Sequence, residues 1–256
     1  MILLIDIGNS LTKVALADLE NQKITLLKPI ISKNKNWNKD VKQLITKIKN
    51  KVNDAIISTV IPKKIKDITK IIRTTLKIKP KIINPSLLKS LSMKINTDTK
   101  EIGTDLIALA IGSHNKYHDC IVISLGTATT YTIIKDDMIA GVIISPGFND
   151  AKSSLTTNAA LIKPFTIKPY SSLLGNTTHH ALSIGYGNGF NYMIDGTIKA
   201  IKQELKINLP VIITGGNFHE LKPFLQFQYQ YDQDILMHGL MIIYQNYQKN
   251  NKLINN

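Results

Sequence analysis

Two stretches of the chain carry the residues on which chemistry would turn. "LLIDIGNSLT" (Leu3 to Thr12) and "IVISLGTATT" (Ile121 to Thr130) each pass from an apolar run into a Gly-centred turn with small hydroxyl residues, then into more strand-like sequence. A strand entering a tight Gly turn directs successive backbone N–H groups into one concavity, which suits phosphate oxygens. Gly8 and Gly126 allow the close approach or positive φ that such a turn needs. In the first turn Asn9, Ser10 and Thr12 add side-chain donors, Lys13 adds a positive charge, and Ile7 and Leu11 flank them. Asp6 ends the apolar run, where a carboxylate holds Mg²⁺ directly or through water. With Gly8 placed on Gly126, Thr127 becomes the hydroxyl of the second turn and Ser124 falls where Asp6 stands. A third Gly turn, Gly215 and Gly216 in "PVIITGGN", would admit an adenine or ribose against the backbone. Taken singly, D-x-G-N-S is also an ordinary hairpin signal; two aligned turns and a third at a strand end favour a triphosphate clamp.

These turns need strands to aim them. The pattern predicts strands over 1–6, 11–17 and 23–30, then helix over 38–50 from Val41, Leu44, Ile45 and Ile48. A strand at 54–60 follows, then a helix starting at Pro62, with Ile65, Ile68, Ile71 and Ile72 on one face. "KIIN" reads as a short strand. Thr104 to Tyr117 reads as a helix preceded by Gly103, and helix capping accounts for an acid such as Asp105 in its first turn. The second half starts again, with strands at 120–125, 129–135 and 138–144 and a helical stretch opened by "SPGF" and running to Ala160. A long helix spans about 178–205, weakened by Gly185, Gly187 and Gly189. The last helix covers roughly 234–248, and "KNNKLINN" is expected to fray. The organisation is two α/β halves, 1–117 and 118–256, each opening with the same strand–turn–strand, with a cleft between them.

Composition narrows the classes. With 256 residues and 43% hydrophobic content, the chain can bury more than one core. No apolar run approaches the ~18 residues of a membrane helix. The N-terminus has no basic region ahead of its apolar run and reads as a first strand, not a secretion signal. Cys120 is the sole cysteine, so intrachain disulfides and a cysteine-based metal site are excluded, and a reducing cytoplasm fits. The net charge of +14 invites a nucleic-acid reading, yet Arg73 is the only arginine. Base readers favour arginine's bidentate fork, so the lysines read as a solvated surface and nucleic acid is disfavoured as a partner. His179 and His180 are adjacent on a helix and diverge, which suits polar or interface roles rather than chelation.

The ordered series of motifs resembles the actin, Hsp70 and sugar kinase superfamily, and within it type III pantothenate kinases. "DIGNSLTK" (Asp6 to Lys13) matches that family's D-x-G-N-[ST]-x-x-K loop, and "STVIP" (Ser58 to Pro62) resembles S-V-V-P. "GTDL" (Gly103 to Leu106) stands for G-x-D-R, and "SLGTATT" (Ser124 to Thr130) for D-x-G-T-A-T. "AGVIISPG", "GNTTHHALSIG", "TGG" and "LMHGL" complete the series.

The resemblance implies duplicated ribonuclease H-like (actin-like ATPase) domains with an interdomain nucleotide cleft. It also implies ATP-dependent phosphorylation of pantothenate at its terminal hydroxyl, in the cytoplasm, by a homodimer. Asp105 falls on the family's catalytic aspartate. Asp6 would organise Mg²⁺, and Ile7 to Lys13, Gly126, Thr127, Gly215 and Gly216 would bind ATP. Gly103, Thr104, Asp105, Leu106 and Thr178 would line the pantothenate site, with Thr178 also suited to cap the long helix. Two positions depart from the pattern. Leu106 replaces an arginine that helps hold substrate. Ser124 replaces an aspartate that in the family helps bind K⁺ or NH₄⁺. An alternative is a nucleotide-binding kinase-fold protein with lost or altered catalysis and a regulatory role.

Overall fold

The structure is a computed structural model that describes residues 1–84, 93–95 and 101–254. Two compact units emerge. The first comprises Met1–His118, Lys135–Ala140 and Asp234–Asn256, and the second Asp119–Ile134 and Gly141–Gln233. The units interleave along the chain, whereas the sequence places a single boundary at 117/118.

The first sheet is built on β1 (Ile2–Ile7), which pairs antiparallel with β2 (Leu11–Asp18) and parallel with β5 (Asp54–Thr59). β3 (Lys23–Leu26) and β6 (Lys81–Ile82) complete the order β3-β2-β1-β5-β6, and β4 (Ile30–Ile31) pairs with the start of β2. Every residue of β1 is buried, as expected of a central strand covered on both faces. Leu3, Ile5 and Ile7 pack with Val14 and Leu16 against α1 (Trp37–Ile48) and α2 (Ile65–Leu76). The alternate residues face the other way, towards α3 (Thr104–Tyr117) and the C-terminal helix. α3 buries all of Ile107 to Ser113. Gly112 and Gly239 let α3 and that helix approach until a Cβ on either would strike the other's backbone.

The second sheet repeats the plan. β8 (Cys120–Leu125) pairs antiparallel with β9 (Ala128–Lys135) and parallel with β11 (Val211–Thr214). With β7 (Lys94–Ile95), β10 (Met138–Pro146) and β12 (Gln230–Tyr231), the order is β7-β10-β9-β8-β11-β12. The run β10-β9-β8-β11-β12 matches β3-β2-β1-β5-β6 strand for strand, so the duplication seen in the two turns extends to the sheets. Ile121, Ile123 and Leu125 pack against Ile194, Ile198 and Ile201 of a long helix.

Several expectations shift in detail. The strand foreseen at 23–30 is two strands. Pro62 opens a 3₁₀ turn (Pro62–Lys64) ahead of α2. α4 (Phe148–Asn158) stops short of Ala160. The helix foreseen at 178–205 divides into α5 (Thr178–Ser183), a π turn (Ile184–Asn188) and α6 (Gly189–Leu205). The π turn falls on the glycines, where helix propensity is poorest. α7 (Phe218–Leu221) was not foreseen. α8 (Ile235–Ile254) continues into the tail expected to fray. Buried Met237, Leu240, Met241 and Ile243 make α8 a core element of the first unit. Its Tyr244 hydroxyl donates to Asp54 at the start of β5 (2.8 Å), and Lys81 also binds that carboxylate.

Candidate active site

Strand alternation builds the first half of the site. Side chains directly opposite on neighbouring strands share a face. Asp6 is paired with Lys13 on β2 and with Ser58 on β5, so these three lie on the face towards α3. Ser58 Oγ donates to Asp6 Oδ1 (3.0 Å) and lies 3.0 Å from Thr104 Oγ1, whose oxygen also accepts from Thr59 N–H (3.2 Å). This hydroxyl relay fastens the first turn of α3 to the ends of β1 and β5. Gly103 lets the Asp105 carboxylate sit close to the backbone, since a Cβ there would make that side chain shift. Asp105 Oδ1 accepts from Leu106 N–H (2.9 Å).

The electrostatics single out the same residues. Asp6 is 4% exposed. Burial first, and then the negative charge of Asp105, raise its pKa from 3.8 to about 6, against the opposing pull of Lys13 and the Ser58 hydrogen bond. Burial also raises Asp105, opposed by backbone N–H donors and by Lys13. Two carboxylates short of positive charge, with a lysine acting on both, are the perturbed titratable groups expected of a functional site.

The remaining loop residues divide by face. Gly8 N–H closes the turn on Leu11 O (3.0 Å), leaving Asn9 and Ser10 exposed. Ile7 and Thr12 are paired with each other on the opposite face from Asp6 and are fully buried. Thr12 Oγ1 accepts from Trp37 Nε1–H (2.8 Å) and bonds Ser32 Oγ (2.9 Å). Within the motif this hydroxyl is expected to face a phosphate; alternation along the strand turns it into the core.

In the second unit the GT and GG turns interlock. Gly126 N–H closes on Ala128 O (3.1 Å), and Thr127 is exposed. Gly215 adopts φ +105° with its Cα against the backbone of Leu125, and a Cβ on Gly147 would strike Thr127's carbonyl. Asn217 fastens these turns together. Its backbone N–H donates to Leu125 O (3.0 Å), its Nδ2 donates to Gly126 O (2.9 Å), and its Oδ1 accepts from Asn149 Nδ2 (2.6 Å). Gly216 faces open space. Ser124 is paired with Thr130 and Thr214, so its cross-strand neighbours bring hydroxyls and no carboxylate. Ser58, Asn149 and Asn217 are bonded into the site although no motif assigns a role to their side chains. Their signal was positional: Ser58 and Asn217 stand at the end of a strand and just beyond one, as Asp6 and Gly126 do.

Thr178 is exposed at the first position of α5, but the cap is Thr177, whose hydroxyl accepts from His180 N–H (3.1 Å). His180 bonds Asn176 Oδ1 and Ser172 O (both 3.2 Å) and stacks on Tyr170, while His179 bonds Tyr170's hydroxyl (3.1 Å). The histidine pair thus holds its own loop in place.

Among the described residues no group of three or more His, Cys, Asp or Glu could cage a metal ion, and no helix is long and apolar enough to cross a membrane.

Comparison with known proteins agrees with this architecture. Residues 2–200 match the family model for type III pantothenate kinase. A type III pantothenate kinase from Acholeplasma laidlawii is 31% identical, over 95% of this chain and 98% of its own. One from Mycoplasma mobile is 32% identical, over 96% and 99%. Among solved structures, one described as a 2-dehydro-3-deoxygalactonokinase from Sinorhizobium meliloti superposes with a TM-score of 0.63 at 10% identity, covering 96% of each chain. One described as a Baf family transcriptional activator from Campylobacter jejuni gives 0.60 at 22%, covering 96% of this chain and 99% of its own. These two neighbours bear on the fold, which is that of the actin-like ATPases and sugar kinases. With sequence agreement running through almost the whole chain, the protein belongs to the type III pantothenate kinase family, kinases of coenzyme A biosynthesis that use ATP to phosphorylate pantothenate.

Proposed function

We propose that Asp105 is the base that takes the proton from the acceptor hydroxyl of pantothenate, and that Asp6 and Lys13 handle the transferring phosphoryl group. The observation that carries this is the grouping of Asp6, Lys13 and Asp105 in one electrostatically coupled cluster of the first unit. An alcohol attacks phosphorus efficiently only as its proton leaves, and a carboxylate held above its ordinary pKa is a better acceptor for that proton. Asn9, Ser10 and Lys13 would bind ATP in the first loop, and Thr127, Gly215 and Gly216 in the second. Thr178 and the Gly103–Leu106 segment would contact pantothenate. Because the hydroxyl of Thr104 is engaged by Ser58 and Thr59, its part is to shape that segment.

The donor set fits a divalent cation. Asp6 is a buried carboxylate beside a second acid, and Mg²⁺ characteristically binds one or two carboxylates and completes its shell with phosphate oxygens and water. When bound, it would neutralise charge developing on the phosphates. At the Ser124 position neither the residue itself nor its cross-strand partners Thr130 and Thr214 supply a carboxylate, so a monovalent cation there would gain no counter-charge from them. Turnover is therefore expected to depend weakly on K⁺ or NH₄⁺.

A cytoplasmic homodimer accompanies this reading. The dimer rests on the family resemblance, and Ile144 (66%), Leu161 (95%) and Leu174 (85%), strongly exposed apolar side chains of the second unit, are its candidate contacts.

A coupled ATP-consumption assay with and without pantothenate, scanned over K⁺, NH₄⁺ and Na⁺, tests the reading. Pantothenate-dependent turnover that is lost in Asp105→Asn supports it. Because Asp105 must be ionised to act, activity should fall with falling pH on an acid limb above the ordinary carboxylate range. The second reading, nucleotide binding without transfer, is favoured by Leu106 and Ser124. It gains the field if MgATP binds but no cation supports turnover.

A further inference from the structure

We infer that Trp37 and Ser32 are positioning residues for the nucleotide loop and act through Thr12; this rests on the ATP-binding role proposed above for that loop. Three polar side chains meet inside an otherwise apolar core: Thr12 (0% exposed), Ser32 (2%) and Trp37 (2%). The indole N–H of Trp37 donates to Thr12 Oγ1 at 2.8 Å, and Ser32 Oγ lies 2.9 Å from the same oxygen. Ser32 also reaches the loop by its backbone, donating its N–H to Ser10 O at 2.8 Å. β4 adds ladder pairing at Leu11 and Thr12. The segment Gly8–Lys13 is therefore fastened from beneath at its tip and at its exit.

Stability alone does not call for this arrangement. A buried hydrogen-bonded cluster contributes little net free energy over apolar groups of the same shape, although breaking it halfway is costly. What it supplies is geometry. A one-residue slip of β2 would put Thr12 opposite Asp6 and turn Lys13 to the wrong face of the sheet. The bonds to Thr12 pin the register that keeps Lys13 opposite Asp6. Trp37 extends the link further, because Lys64 Nζ sits 3.6 Å above its ring and Lys64 closes the 3₁₀ turn that follows β5. The indole thereby joins the loop strand to the segment leaving Ser58. As the only tryptophan in the chain, it also serves as a built-in optical reporter on the loop.

The test compares the intact wild type with Thr12→Val, Thr12→Ser, Ser32→Ala and Trp37→Phe. Thr12→Val and Ser32→Ala should raise KM for ATP about tenfold, as expected when a positioning contact is lost. KM for pantothenate should stay within about twofold, and Thr12→Ser should restore the wild-type value for ATP. Lowered thermal stability with unchanged KM for ATP, measured where the variants remain folded, would overturn the inference and leave a structural cluster only. Titrating wild type with MgATP should shift Trp37 emission, and the shift should vanish in Thr12→Val. No shift at saturating MgATP also overturns it. Should Trp37→Phe fail to fold, the Thr12 and Ser32 variants decide the matter. A wild type that binds MgATP without phosphorylating pantothenate refutes the functional reading instead; the ATP affinities and the emission shift then decide the positioning role.

Discussion

Replacing Asp6 with Asn should make the protein more stable and inactive at once. Burial and the neighbouring charge of Asp105 lift the Asp6 pKa from 3.8 to about 6. A rise of roughly two units, at about 1.36 kcal/mol each, corresponds to about 3 kcal/mol of destabilisation once the group is ionised. Between pH 3.8 and about 6 the folded state keeps a proton that the unfolded state has released, so stability falls as pH rises through that window and the full penalty persists above it. Asp6→Asn removes the charge but keeps an oxygen to accept from Ser58. The pull of Lys13 is already contained in that net shift, so the gain stays at about 3 kcal/mol. Urea unfolding of both proteins, without Mg²⁺ or nucleotide, reads this directly as a shift in midpoint at unchanged slope. The variant should be the more stable near pH 7.5, and its advantage should shrink towards zero as pH falls to about 4. The groups remote from this cluster are common to both proteins and cancel, so the difference reports Asp6 together with its coupling to Asp105. Mg²⁺ with ATP should then stabilise wild type more than the variant, through preferential binding to the folded state. A variant less stable than wild type at pH 7.5, or an advantage independent of pH, would refute the account of Asp6 as a strained buried anion.

Ser124→Asp restores a carboxylate beside Thr130 and Thr214, and should raise activity or its dependence on K⁺ in the coupled assay; no change in either would show that this position does not face the nucleotide. Asn217→Ala removes the bond to Gly126 O and abandons the Asn149 amide. It should cost about 1–3 kcal/mol in stability and weaken ATP binding more than pantothenate binding, as read by thermal unfolding and by the two KM values. If Leu161 and Leu174 sit in a homodimer interface, Leu174→Lys should shift the mass measured by light scattering from dimer to monomer, whereas an unchanged mass would remove that surface from the interface.

The sequence by itself determined the elements and their repetition. The apolar run before Gly8, its echo before Gly126 and the spacing of Val41, Leu44, Ile45 and Ile48 are local signals, and local geometry is what residue type and periodicity govern. The α/β class, the paired turns and the candidate carboxylates were legible for that reason, as was the weak middle of the 178–205 segment, since glycine's conformational entropy is a property of the residue itself. Tertiary structure decided which side chains meet. Strand register turned Thr12 to one face of the sheet beneath Trp37 and Asp6 to the other with Lys13 and Ser58, although both belong to one motif. Asn217, silent in the sequence, became the fastening of two turns because β11 runs beside β8, a pairing set by contacts between residues far apart in the chain. The last helix likewise owes its place to the tertiary structure: α8 packs against α3 through a glycine–glycine crossing and buries Met237, Leu240, Met241 and Ile243. Proximity across the fold also raised the Asp6 pKa, because desolvation and the charge of Asp105 act through space and leave no trace in local sequence.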